Sequence, residues 1–206
     1  MKLVGVFLSP FVRRVAATLN LLEIPFEHVN VSVVDSWDVI GSYNKLVKIP
    51  SLELDDGTVL IDSHEIVTEL DRIVGSDRSL VPQEESSLRA YGQMIAYLTG
   101  ACEKTVASLY EVFRRPAEKV WSEWAEQCQE QAIGGLEAAE TNASNSLLDD
   151  GYLFEDKLTH ADVLAVIAYE TLSGMFSEQV NTEAFPKLSS LAGRLGETEP
   201  FVATRM

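Results

Sequence analysis

Three short stretches in the first third of the chain carry residues able to hold a small charged molecule: Ser9-Pro10, Lys48-Ile49-Pro50 and Asp62-Ser63. Ser9 follows an apolar run, Leu3 to Leu8, and Pro10 suits the first position of a helix, so Ser9 reads as a helix N-cap. Asp62-Ser63 also follows a short apolar run and opens a helical stripe, with Ser63 as its N-cap. A helix N-terminus offers free N–H groups and the positive end of a dipole, and so favours anions. Two such termini at one edge of a small sheet suit a ligand with two negative groups. The same residues would serve equally as caps alone. Lys48, with Lys45, Arg13 and Arg14 as weaker candidates, would supply local positive charge.

Other chemically able residues are scattered. His28, His64 and His160 stand far apart and read as surface or capping residues rather than bases. Cys102 and Cys128 form no C-x-x-C pair and have no His cluster beside them, so no zinc site is expected. Both fall on apolar helical stripes, which favours buried packing in a reducing compartment.

The elements that would position these residues can be read from periodicity. Leu3 to Leu8 reads as a buried strand. Val12, Val15, Ala16, Leu19 and Leu22 form one face of a helix that Pro25 closes. Val29, Val31 and Val33 alternate with polar residues, as a half-buried strand does. Residues 35 to 48 suggest a short irregular helix. Ile49 to Leu54 and Thr58 to Ile61 flank Asp55-Asp56-Gly57, a hairpin signal. Ile66, Val67, Leu70, Ile73 and Val74 form a further helical face. The order is β-α-β-(α)-β-β-α, with a right-handed parallel crossover first and an antiparallel hairpin last.

Residues 75 to 86 are rich in Gly, Ser, Asp, Gln and Glu, as a linker would be. Beyond them the period is helical throughout. One stripe runs from Leu88 through Tyr91, Ile95, Leu98, Cys102 and Val106 to Leu109, and Pro116 breaks it. A second runs from Trp121 and Trp124 through Cys128, Ala132, Leu136 and Ala139 to Ala143, with Gly134-Gly135 as a weak point. Trp121 and Trp124 read as core or interface. Asp149-Asp150-Gly151 predicts a turn. Thr159 reads as an N-cap with Asp162 at N3, and Phe185-Pro186 starts a last helix. The fold class is α/β plus all-α. The division is 1–78, a linker at 79–86, and a helical domain at 87–206.

The composition limits the function. The chain has 206 residues, 46% of them hydrophobic, which is enough for a packed core without a disulfide or metal staple. Lys plus Arg total 16 and Asp plus Glu total 32, a formal charge of −16 that disfavours nucleic acid and anionic membranes as partners. The first apolar run is too short for a signal peptide, and no stretch reaches a membrane span. A cytosolic location is expected.

The ordered set S-P-F-V-R-R-V, V-K-I-P-S-L, D-G-T-V-L-I-D-S-H-E-I, T-H-A-D-V and F-P-K-L resembles the cytosolic glutathione transferase superfamily over nearly the whole chain. The opening motif is similar to that of serine-type members from bacteria and plants. The resemblance implies a thioredoxin-like N-terminal domain followed by an all-helical one that carries the electrophile site. It also implies a homodimer, and glutathione as co-substrate with no metal. By the same resemblance Ser9 stabilises the glutathione thiolate, and Ile49 bonds the tripeptide backbone beside a cis Pro50. Ser63 takes the γ-glutamyl carboxylate, Asp62 the γ-glutamyl ammonium and Lys48 the glycyl carboxylate. Many relatives carry Glu or Gln at the position of Asp62, so that contact is expected to be shorter or water-bridged. Tyr91, Tyr97, Tyr110 and Phe113 lie on the helix with which family members line the electrophile pocket, and their spacing fits plain core as well.

The implied reaction is attack of the thiolate on a small hydrophobic electrophile or a peroxide, in the service of detoxification. Cysteine-type thiol–disulfide exchange is disfavoured, because position 9 is Ser and both cysteines lie in the second domain. A non-catalytic regulator or ligand carrier of the same fold is the alternative.

Overall fold

The computed structural model describes residues 1–144, 151–154 and 156–205. The chain divides into two compact units, Met1–Val81 with Glu197–Met206, and Pro82–Gly196. The last ten residues therefore group with the first unit, where the sequence division kept them in the helical one. The turn expected at Asp149-Asp150-Gly151 rests on Asp149 and Asp150, which lie outside the described residues.

The first unit contains β1 (Lys2–Val4), α1 (Pro10–Leu21), β2 (Glu27–Val29), α2 (Trp37–Tyr43), β3 (Ser51–Glu53), β4 (Val59–Ile61), α3 (Ser63–Val74) and, from the chain end, α8 (Glu199–Val202). The sheet order is β2-β1-β3-β4. β1 pairs parallel with β2 and antiparallel with β3, and β3 pairs antiparallel with β4. Leu3, Val12, Val15, Leu19, Leu52, Ile66 and Leu70 pack as the core between sheet and helices. The Asn20 side-chain amide donates to Pro200 O at 3.1 Å, which ties α8 to α1.

The four strands are shorter than their apolar patterns predict. β1 ends at Val4 because Gly5, at φ +136°, turns the chain; a Cβ there would lie 2.6 Å from Val12 Cγ2, so only glycine fits. β2 ends at Val29, and Val31 and Val33 lie beyond it.

The second unit contains α4 (Glu85–Phe113), α5 (Ser122–Ser144), α6 (His160–Met175) and α7 (Pro186–Leu195). α5 runs unbroken through Gly134-Gly135. A Cβ on Gly135 would lie 3.1 Å from both Ala101 Cβ and Tyr97 O, so this glycine allows α4 and α5 to approach closely. Thr159 and Asp162 form a reciprocal capping box on α6. Asp162 also accepts the Leu153 N–H at 2.7 Å. Cys102 and Cys128 are buried and are not joined in a disulfide.

Of the core-or-interface reading of Trp121, its 61% exposure sets aside the core. Of the surface-or-capping reading of His160, burial at the start of α6 sets aside the surface. The buried face of α4 runs through Met94, Leu98, Ala101 and Thr105, which leaves Leu88 exposed.

Candidate functional site

The segment after β1 carries Ser9. Its φ and ψ are extended, its C=O accepts the Arg13 N–H at 3.0 Å, and its Oγ accepts the Val12 N–H at 3.4 Å, so it caps α1 as predicted. Pro10 occupies the first helical turn. The Ser9 hydroxyl donates to no group among the described residues. The approach to Ser9 is braced by Phe7, whose ring stacks on His28 at 4.0 Å. His28 Nε2–H donates to Gly5 O at 2.7 Å.

The Ile49–Pro50 peptide bond is cis. Pro50 is buried and Ile49 half-buried. Neither the N–H nor the C=O of Ile49 enters a hydrogen bond among the described residues. Just before it, Asn44 Oδ1 accepts the N–H groups of Leu46 and Lys48, each at 3.1 Å. Its Nδ2 donates to Lys48 O at 2.9 Å and to Ser51 Oγ at 2.8 Å.

At the start of α3 the cap is Asp62, not Ser63 as expected: Asp62 Oδ1 accepts the His64 N–H at 3.0 Å, and Ser63 is the first helical residue. The shift arises because Asp62 adopts φ +71°, which turns its short carboxylate back onto the helix end. Lys48 Nζ lies 2.6 Å from Asp62 Oδ2. Burial raises the Asp62 pKa, but hydrogen bonds from Lys48 and the His64 N–H, with the charges of Lys48 and Arg14, outweigh it and hold the carboxyl below its ordinary value. Arg14 is buried on α1, and its Nη1 donates to Ser63 Oγ at 3.4 Å. The Ser63 hydroxyl hydrogen is thereby left to point elsewhere.

So Lys48, Asp62, Ser63 and Arg14 form one linked cluster at the α3 N-terminus, with Ile49 next to it in the chain. Ile49 also approaches Gly5 closely: a Cβ added to that glycine would lie 3.0 Å from Ile49 Cβ. Asn44 and the close placing of Arg14 were not read from the sequence, although an Asn preceding a tight polar turn is a recognisable side-chain turn signal. Lys45, by contrast, is exposed. Among the described residues no group of His, Cys, Asp or Glu could hold a metal. A separate cavity of about 220 Å³ lies within the helical unit, lined by Leu109, Val112, Phe113, Val120 and Phe176 among others.

The family model described as glutathione S-transferase, N-terminal domain, matches residues 3–78. Over its full length the chain is similar to the uncharacterized GST-like protein YibF of Escherichia coli (strain K12), 27% identical across 209 aligned residues, 99% of this chain and 98% of that protein. A glutathione S-transferase structure from Methylobacterium radiotolerans, in complex with glutathione sulfonate, superposes with a TM-score of 0.87 at 25% identity, over 98% of this chain and 93% of that one. Residues 3–78 thus carry a glutathione S-transferase N-terminal domain, and the chain as a whole shares the glutathione transferase fold. A glutathione S-transferase structure from Methylobacillus flagellatus with GSH bound shares the fold, with a TM-score of 0.86 at 24% identity over 98% of each chain.

The four-stranded sheet with its helices corresponds to the thioredoxin-like half of that fold, and the unit from Pro82 to its helical half. The matched segment holds Ser9, Lys48, Ile49, Pro50, Asp62 and Ser63 together. No helix among the described residues is long and apolar enough to cross a membrane.

Proposed function

We propose that this chain is a serine-type glutathione transferase, which binds glutathione in its first unit and delivers the thiolate to a small hydrophobic electrophile or to a peroxide. The observation that carries the reading is Ser9, a hydroxyl with its hydrogen uncommitted at the N-terminus of a 12-residue helix. The glutathione carried by superfamily structures with this fold supports it.

Ser9 donates its hydroxyl hydrogen to the glutathione sulfur. A hydrogen bond to a charged group contributes about 1.5–3 kcal/mol, or roughly one to two pKa units. A thiol of ordinary pKa, about 8.5, would then titrate near 7, and the α1 dipole acts in the same direction. The thiol proton leaves to solvent. The thiolate forms a C–S bond while the leaving group departs with its electron pair. With a peroxide, sulfur attacks one oxygen as the O–O bond breaks, and a second glutathione completes the reduction, giving alcohol, water and glutathione disulfide.

Ile49 pairs its free N–H and C=O with the tripeptide backbone, as an added strand does. Pro50 holds that peptide unit, and Ser63 with the α3 N-terminus takes the γ-glutamyl carboxylate. Asp62 faces the γ-glutamyl ammonium. Lys48 has three donors, enough to keep Asp62 and reach the glycyl carboxylate as well. The protein acts as a cytosolic homodimer.

A non-catalytic, ligand-carrying reading has one observation in its favour: both Asp62 oxygens already have protein partners, His64 N–H and Lys48. Retention on immobilised glutathione, followed by turnover of an activated aryl chloride and an organic hydroperoxide, separates the two. A transferase is retained and turns over at least one, and Ser9→Ala lowers that turnover about 100-fold with retention kept. Retention without turnover favours the carrier, and unchanged turnover in Ser9→Ala removes Ser9 from the mechanism.

A further inference from the structure

We propose that Asn44 is the positioning residue of the tripeptide subsite: its carboxamide sets the loop that aims Lys48 and the Ile49 backbone. The inference rests on the glutathione-binding reading above. Asn44 is half-buried at the C-terminus of α2, and all its polar capacity in this loop is used in one direction. Oδ1 faces two N–H donors, Leu46 and Lys48; Nδ2 faces two acceptors, Lys48 O and Ser51 Oγ. A flipped amide would lose the bonds to the Leu46 and Lys48 N–H groups and to Lys48 O, so its orientation is determined.

The consequence is that Lys48 is pinned through both its N–H and its C=O. The Ser51 hydroxyl adds a second donor to Lys48 O at 3.1 Å. Ser51 is itself fully buried and paired in the sheet to Val4 and Ile61. Ile49 and Pro50 thus sit between a residue fixed by Asn44 and one fixed by the sheet. Val47, directly before Lys48, adopts φ +50°, where β-branched residues are rarely found. Its two neighbours are the residues whose N–H groups Asn44 Oδ1 holds. Strain of this kind persists only where the surroundings over-determine it. The Asn44 amide supplies that restraint, so the backbone edge offered by Ile49 is formed before the tripeptide docks.

The test combines hydrogen exchange with glutathione kinetics on parent, Asn44→Ala and Asn44→Asp. Asn44→Ala should lose protection at the Leu46 and Lys48 amides and raise KM for glutathione about tenfold or more. Its kcat at saturation should stay within about threefold, because Ser9 and the sulfur are not touched. Asn44→Asp keeps the acceptor and loses both donors. It should retain the amide protection while KM for glutathione still rises, a split that general destabilisation would not produce, and it carries the test if the alanine variant fails to fold. A KM within twofold of the parent in both folded variants, or a fall in kcat with KM unchanged, overturns the proposal. A parent that does not bind glutathione overturns the functional reading and this inference together, whereas a parent that binds while the variants bind equally well overturns this inference alone.

Discussion

Lys48 Nζ lies 2.6 Å from Asp62 Oδ2, which joins the loop before the cis peptide to the N-terminus of α3. The two side chains are 47% and 48% exposed, so the pair contributes little to stability, about 0–1 kcal/mol. It is cheap to rearrange, and its value lies in arranging charge around the site of a chain with net charge −16.

Asp62→Asn therefore separates charge from fold. Asparagine caps a helix about as well as aspartate, so thermal stability should change little. Glutathione affinity, measured by calorimetry, should fall about tenfold through loss of the partner for the γ-glutamyl ammonium. Unchanged affinity would show that the ammonium is held elsewhere.

The same carboxylate has a definite pH signature. Its folded pKa is lowered from an ordinary 3.8, so its contribution to stability is present above that value and is lost as pH falls through the folded value. The Tm difference between parent and Asp62→Asn should be flat above about pH 5 and shift against the parent below about pH 4. A difference that moves in the parent's favour on acidification would contradict the assigned direction.

Asp162 should behave in the opposite way. Burial pushes its carboxyl up from 3.8, more than the hydrogen bonds from Leu153 and Thr159 pull it down. Stability from this group is present at low pH and lost as pH rises through the raised folded value. Relative to Asp162→Asn, the parent should gain in Tm as pH falls from neutrality toward about 4. Asp162→Ala orphans the Leu153 N–H and both Thr159 donors, and urea unfolding should report a loss of about 3 kcal/mol or more.

Two adjacent glycines in α5 should respond differently. A Cβ added at Gly134 would meet nothing within 4 Å, so Gly134→Ala should stabilise the chain by up to about 1 kcal/mol in urea unfolding. Gly135→Val drives a branched side chain against Ala101 and the Tyr97 carbonyl and should cost about 1–3 kcal/mol.

Much of the fold was legible because its signals are local. Ser9-Pro10, the Asp56-Gly57 turn and the Thr159–Asp162 box are each decided within four residues, and each forms where its residue types predict. What was missed depends on distant partners. Leu3 to Leu8 is apolar throughout, but Gly5 turns the chain because α1 packs against it. The stripe that begins at Trp121 allowed core or interface, whereas Trp121 precedes α5 from an exposed position with its N–H on the Glu111 carboxylate at 2.9 Å. The cap of α3 moved from Ser63 to Asp62 through a positive φ that periodicity does not report. Asn44 lay in a stretch with little period, and its importance comes from four bonds that exist only once the loop is folded.

An ionised sulfur beside Ser9 is the central requirement of the proposed chemistry. Ultraviolet titration of the thiolate in the glutathione complex measures this directly, with the parent compared to Ser9→Ala. The parent complex should titrate about one to two units below an ordinary thiol, and the variant should return toward about 8.5. Equal midpoints in the two complexes, or no complex at all, would contradict it.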